Sequence, residues 1–283
     1  MGETLWKIGE RTVDLARRAM IMGVLNVTPD SFSDGGEFFS SEKAVEHGLR
    51  MAEEGAQIID VGGESTRPGA EPVSIDEELR RVISVIEQLR DKIDIFISID
   101  TSKAKVAEAA LDAGASIIND VSGGRNDKAM MPLAAKRKAA LIIMHMQGNP
   151  RTMQVDPRYV DVVGEVADFF RQQYARAIEC GIDPMAIAFD PGIGFGKTLA
   201  HNLDLLANFS QLRIQERPLA VGVSRKAFLG KIAGSTEMED RNAATVALTA
   251  LLRERGANIL RVHDVKPNVA ALRASEAVLE RST

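Results

Sequence analysis

The chain of 283 residues is 45% hydrophobic and 27% charged, the balance of a globular protein long enough to bury a large core. Its formal net charge of −5 excludes a nucleic-acid or anionic-membrane partner held by bulk charge and leaves room only for a local basic pocket. Cys180 is the single cysteine, so no internal disulfide forms; the chain suits a reducing cytoplasm, and Cys180 reads as a small buried apolar side chain.

The first segment, "MGETLWKIGERTVDLARRAM", has no signal-peptide apolar stretch, and Trp6 replaces the hydroxyl residue of a myristoylation signal. No apolar run approaches the ~18 residues that span a bilayer. Residues 1–19 read as an N-terminal extension and 20–283 as one domain without an internal linker. Within it, strands are expected at 20–26, 57–61, 95–100, 116–120, 140–145, 186–190, 219–224 and 258–263. Most are continuously apolar rather than alternating, as expected of parallel strands covered by helices.

The segments before several strands repeat one form: "EEGAQIIDV", "DAGASIIND", "ERGANILRV" and, more loosely, "ECGIDPMAIAFD". Gly55, Gly114, Gly256 and Gly181 fall where a helix ends in a positive-φ residue and the chain turns into a strand. Between the joints lie amphipathic helices. Leu79, Val82, Ile83, Ile86 and Leu89 line one face, and Ser74 with Glu77 forms a capping box ahead of them. The repeat count and length predict an eight-fold βα barrel, a (β/α)8 fold of the α/β class; a doubly wound open sheet is the alternative.

Connections after strands 1, 2 and 5 are long and rich in Gly, Pro, Ser and Asp: "VTPDSFSDGGEFFS", "GGESTRPGAEPVS" and "MQGNPRTMQVDP". In a barrel they gather at the C-terminal face of the strands, where active sites are built. To that face the strands deliver Asn26, Asp60, Asp100, Asn119 with Asp120, His145, Asp190, Ser224 with Lys226, and Arg261 with His263. Any one of them alone would read as a cap or turn residue; the ring as a whole makes a polar cup that stability does not require.

Charge narrows the chemistry. Asp100, Asn119, Asp190 and Lys226 offer acceptors and donors to a flat heterocycle, and Arg67, Arg261 and His263 offer positive charge to an oxyanion such as diphosphate. Asn26 and Asp60 offer oxygen to Mg²⁺. No Cys/His cluster suits zinc, and no nucleophile elbow is present. "DPGIGFGKT" looks like a nucleotide loop, but Pro191 stands where a P-loop needs glycine and the later glycines are spaced two by two. Lys197 in that stretch reads as a solvated surface charge.

In this order, "LNVTPDSFSDGG", "IIDVGGESTRPGA", "SIDTS", "IIND", "MHMQGNP", "DPGIGFGK", "VSRKAFLG" and "RVHDV" closely resemble the dihydropteroate synthases, from about residue 20 to the C-terminus. The resemblance implies transfer of the methylene-pterin unit of 6-hydroxymethyl-7,8-dihydropterin diphosphate to p-aminobenzoate, on a barrel that is commonly a cytoplasmic homodimer. It implies pterin contacts from Asp100, Asn119, Asp190 and Lys226, with Met144 and Arg261 against the ring faces. Diphosphate would meet Asn26, Thr66, Arg67, Arg261 and His263, with Mg²⁺ at Asn26. Phe32, Thr66, Arg67, Pro68, Phe195, Ser224 and Lys226 would form the p-aminobenzoate pocket, and Asp34 would help close the first loop. Catalysis would rest on Asn26, Asp100, Lys226, Arg261 and His263. Ala227 departs from the hydroxyl residue that many relatives carry after "SRK". Two alternatives remain: a pterin-reading methyltransferase barrel, which has no need of the "TPDSFSDGG" and "STRPG" loops, and a barrel that binds a pterin without turning it over.

Overall fold

The computed structural model describes residues 3–28, 37–65, 69–148 and 152–281, with backbone alone at 37–40. A short hairpin, β1 (Leu5–Ile8) and β2 (Arg11–Asp14), precedes the main sheet. Then strands alternate with helices: β3 (Met20–Asn26), α1 (Glu37–Glu53), β4 (Ile58–Gly62), α2 (Ile75–Arg90), β5 (Phe96–Asp100), α3 (Ala104–Asp112), β6 (Ile117–Asp120) and α4 (Met130–Arg137). The second half continues with β7 (Ala140–Met144), α5 (Val162–Glu179), β8 (Ile187–Asp190), α6 (Leu199–Ala207), β9 (Ala220–Gly222), α7 (Ala227–Ala233), α8 (Met238–Glu254), β10 (Ile259–Val262) and α9 (Val265–Leu279).

Strands β3 to β10 form a parallel sheet ordered β8-β7-β6-β5-β4-β3-β10-β9. Its two edges meet at the parallel bridge between Phe189 and Leu219, where Phe189 N donates to Pro218 O at 3.0 Å. The sheet is therefore a (β/α)8 barrel, as the repeats predict. Each strand buries two faces against different partners, which explains the apolar runs. One set, including Ile59, Val61, Ile97, Ile99, Ile118, Leu141, Ile143, Phe189 and Val262, packs outward with the helices. The alternate set, Met20, Met22, Ile58, Ile117, Ala140, Ile142, Ala188, Ala220 and Ile259, fills the barrel interior.

The joint glycines Gly55, Gly114, Gly181 and Gly256 have φ of +105°, +113°, +86° and +95°, as a helix-ending turn requires. On α2, Val82, Ile86 and Leu89 are fully buried, with Leu79 and Ile83 packed beside them. The capping box there is half formed. Ser74 accepts from Glu77 N at 3.2 Å, but the Glu77 carboxylate turns to Arg80 and Arg81 instead of back to the cap. Cys180 is exposed, contrary to the sequence expectation, because α5 ends on it and the chain turns away at Gly181 before the side chain can pack.

The N-terminal extension is structural. Trp6, Ile8 and Leu15 join the interior cluster and close the end of the barrel away from the polar strand termini. Trp6 is completely buried and its indole N–H donates to Ala186 O at 3.2 Å, so the polar atom of this large side chain is satisfied.

Candidate active site

The alternation that fills the barrel also builds the site. On the inward-facing positions, apolar residues near the strand starts give way to polar ones near the ends: Ile58 then Asp60, Ile117 then Asn119, Ala188 then Asp190, and Ile259 then Arg261. The register sets the strand ends level, with Asn26 beside Gly62, Gly62 beside Asp100, and Asp100 beside Asn119. Asp60 has no exposed surface, and Asp100, Asn119 and Asp190 are nearly buried, so the polar layer is a desolvated floor.

Arg261 organises that floor. Its Nε donates to Asp60 Oδ2 at 2.6 Å and its Nη2 to Asp100 Oδ2 at 2.7 Å, while Asn119 Nδ2 donates to the same Asp60 oxygen at 3.0 Å. One guanidinium thus faces two carboxylates. Burial, reinforced by Asp60 and only partly offset by Arg261, pushes the Asp100 carboxyl up to about 7. Asp60 Oδ1 and Asp100 Oδ1 are buried with no hydrogen-bond partner among the described residues. Such acceptors are costly unless a ligand's N–H groups meet them.

Asp190 and Lys226 face the same space from β8 and the start of α7. Asp190 Oδ1 accepts Gly192 N at 2.7 Å, which fixes the carboxylate's orientation, and burial raises its pKa against the pull of Lys226 and Arg261. Burial lowers the Lys226 ammonium to about 8, with Asp190 opposing the shift. Lys226 Nζ donates to Ile193 O and stands 4.4 Å from the centroid of the Phe195 ring, a cation–π contact. Phe195 in turn packs with Met144, Met146, Met153 and Val121 in a small apolar cluster apart from the main core.

The other sequence-predicted residues divide clearly. Ser224 and His263 pair, with His263 Nδ1 3.0 Å from the hydroxyl, and Asn26 lies at the end of β3, half-buried. Met144 is buried beside Phe195. Phe32, Asp34, Thr66, Arg67 and Pro68 lie outside the described residues. Asp120 turns away from the cup: its carboxylate accepts from Ser122 N, Ser122 Oγ and Gly124 N and serves the turn alone. His145 also points outward, edge-on to Phe169 with ring centroids 4.9 Å apart.

Lys197 corrects the reading of "DPGIGFGKT". It is 3% exposed rather than solvated, and its Nζ donates to Gly192 O and Phe195 O, both at 3.0 Å, with His145 Nδ1 at 3.1 Å. Nothing in the residue types foretold this, because one partner, His145, lies just past the end of β7. Two of the three glycines in this stretch serve packing rather than the site. A Cβ on Gly192 would collide with His145 O, and one on Gly196 would lie 2.6 Å from Gln147 O, so these two let the loop pack on the 145–147 backbone. Gly194 alone faces the site, where a Cβ would lie 3.0 Å from Lys226 Cδ.

Two anchors hold the loops around the mouth. Lys103 Nζ meets Glu64 Oε2 and Glu78 Oε2 at 2.5 Å and Val73 O at 2.8 Å, tying both ends of the loop after β4 to the fully buried Glu78. Arg225, at φ +59°, pairs with Asp264 at 2.7 Å and so joins the Lys226 segment to the His263 segment. The sequence showed neither pair, since each joins residues on different elements.

For a divalent cation the donor set is sparse. Among the described residues no group of three His, Cys, Asp or Glu side chains is arranged around one point, and Asp60, expected as an oxygen ligand, has its Oδ2 held by both Arg261 and Asn119. The Asn26 carboxamide remains, a single oxygen donor of the kind a largely hydrated Mg²⁺ accepts.

Residues 22–263 match the family described as pterin binding enzymes. A curated dihydropteroate synthase from Synechocystis sp. is 45% identical over 271 residues, covering 96% of this chain and 94% of its own length. Among solved structures, the Xanthomonas albilineans dihydropteroate synthase with 4-aminobenzoic acid superposes with a TM-score of 0.91 at 44% identity, covering 98% of this chain and 99% of that one. The same enzyme in complex with 7,8-dihydropteroate gives 0.87 at 41% identity, covering 97% and 98%. The barrel, the polar floor and these likenesses agree: the chain belongs to the pterin-binding enzymes and, within them, to the dihydropteroate synthase family.

Proposed function

We propose that this protein condenses 6-hydroxymethyl-7,8-dihydropterin diphosphate with p-aminobenzoate, giving 7,8-dihydropteroate and diphosphate for folate synthesis. The observation that carries the reading is the convergence of Asp100, Asn119, Asp190 and Lys226 on the space beside Arg261, in a floor with an unpartnered carboxylate oxygen on Asp100. That set is complementary to the amino, ring N–H and carbonyl edge of a pterin, with Met144 and Arg261 against the ring faces.

The reaction is a substitution at the pterin methylene carbon. The C–O bond to diphosphate breaks with its electron pair leaving on oxygen, and the electron-rich dihydropterin delocalises the cation that remains. Arg261 and His263 hold the departing oxyanion, and the buried floor strengthens each of those interactions by excluding water. The arylamine nitrogen then forms the C–N bond and releases its proton to solvent. Phe195, with Lys226 beside it, walls the arylamine, and Ser224 orients His263. When bound, Mg²⁺ would neutralise diphosphate charge, with Asn26 as its protein ligand. By resemblance, the remaining contacts fall to Phe32, Thr66, Arg67 and Pro68, with Asp34 closing the first loop. The enzyme acts in the cytoplasm as a homodimer; the exposed apolar side chains of Ile232, Met238 and Leu251 on α7 and α8 support such a contact.

The test is diphosphate release by the purified protein with Mg²⁺ and the dihydropterin diphosphate, with and without p-aminobenzoate. Release coupled to dihydropteroate formation is expected. Pterin binding with no arylamine-dependent turnover would retire the proposal.

A further inference from the structure

Lys197 is a buried cation that the chemistry above does not use. Among the described residues it has no carboxylate partner; its three N–H donors are matched by Gly192 O, Phe195 O and His145 Nδ1, with His145 O at 3.4 Å. An ammonium solvated only by carbonyl dipoles and a ring nitrogen is costly to bury. Burial and the Lys226 charge lower its pKa well below the ordinary lysine value. Burial and Lys197 likewise push His145 down to about 2, which keeps that ring neutral and able to accept.

What the ammonium gathers is the loop from 191 to 197. Its carbonyls at 192 and 195 converge on Nζ, as around a bound metal ion, and His145 fastens the assembly to the end of β7. The same loop supplies both supports of Lys226: the carbonyl of Ile193, which accepts from Lys226 Nζ, and the ring of Phe195 beneath it. Ile193 directly follows Gly192, and Phe195 gives its carbonyl to Lys197 and its ring to Lys226, so the carbonyls drawn to Lys197 set where Lys226 finds its partners. We infer that Lys197 is a positioning residue, an internal cation that folds the 191–197 loop so that Ile193 and Phe195 hold Lys226 in register with Asp190. This rests on the proposed role of Lys226 in reading the pterin.

The test is a double-mutant cycle on binding of 6-hydroxymethyl-7,8-dihydropterin, measured by calorimetry so that no turnover is needed. Lys197→Met is combined with Lys226→Ala. Alone, Lys197→Met should weaken binding about tenfold, the size of one lost hydrogen bond to a charged group. In the Lys226→Ala background it should weaken binding by less than about twofold, because its effect passes through the missing side chain. Equal factors in both backgrounds, or none in either, would overturn the inference, since a general structural role lowers affinity independently of Lys226. If Lys197→Met does not fold, His145→Phe keeps a ring against Phe169, removes the imidazole nitrogens and with them the Nδ1 acceptor for Lys197, and carries the same cycle with a smaller single effect. Wild-type turnover is measured in parallel: coupled binding without dihydropteroate formation would remove the proposed activity and leave the positioning role standing.

Discussion

Arg261 Nε lies 2.6 Å from Asp60 Oδ2, across the barrel mouth from β10 to β4, and the Asp60 carboxylate that receives it has no surface of its own. Asp60 is thus a holder of the residue that would face the diphosphate and the pterin ring. Asp60→Asn should lower kcat/KM for the dihydropterin diphosphate by about ten- to a hundredfold, as expected for weakening a charge-assisted hydrogen bond. Steady-state kinetics indistinguishable from wild type would show that Arg261 holds its place through Asp100 alone.

Asp190 is oriented by Gly192 N and faces Lys226. Asp190→Asn keeps the shape but offers an N–H where an acceptor is needed, so pterin affinity should fall about a hundredfold, with calorimetry as the readout. Unchanged affinity would move the amino edge of the pterin elsewhere.

The pH profile follows from two shifted groups. Asp100, raised to about 7 by burial, becomes the acceptor carboxylate as pH rises through that value; Lys226, lowered to about 8 by burial, loses its ammonium as pH rises further. Activity that needs both charged forms should give a narrow bell in kcat/KM, with limbs near those values belonging to the coupled site as a whole. Lys226→Arg should abolish the alkaline limb, because guanidinium stays charged. Persistence of that limb would assign it to another group.

Lys103 ties Glu64 and Val73, at the two ends of the loop after β4, to the buried Glu78. Lys103→Met would strand a buried carboxylate and should cost about 3 kcal/mol in denaturant unfolding. It should also raise the KM for p-aminobenzoate more than that for the pterin substrate, since the anchored loop carries Thr66, Arg67 and Pro68. Equal changes in both would make the anchor purely structural.

Trp6 fills the closed end of the barrel, away from the polar strand termini. Trp6→Ala should lower stability by about 3–5 kcal/mol while leaving kcat/KM of the folded fraction near wild type. A large loss of specific activity in well-folded protein would mean that packing at the closed end of the barrel reaches the site.

Most of the barrel was legible because its strands carry two signals at once: apolar residues outward for the helices, and inward residues that turn polar at the end. Ile58–Gly62 and Ile259–Val262 fall within a residue or so of the expected runs. Strand β9 is shorter than 219–224 because the chain has already turned before Arg225, whose φ is positive. The hairpin was missed although a signal existed: "LWKI" and "RTVD" flank Gly9-Glu10, a two-residue turn with Gly9 at φ +59°. Residue type could not reveal Lys197, since a lysine after glycines normally faces water, and only the fold brings His145 to it. Asp60 was visible as a strand-end carboxylate but not as Arg261's partner, because β3 lies between their strands.

The hairpin also sets an order of events during synthesis. Trp6 waits for Ala186, Leu15 O for the side chain of Asn258, and Ala19 N for Glu276, partners 180, 243 and 257 residues downstream. At ribosomal rates these early-made groups go unpartnered for roughly ten to fifty seconds. The barrel is thus sealed by its oldest segment meeting its youngest, a high-contact-order closure that makes the nascent chain, rather than the finished enzyme, the state most exposed to aggregation.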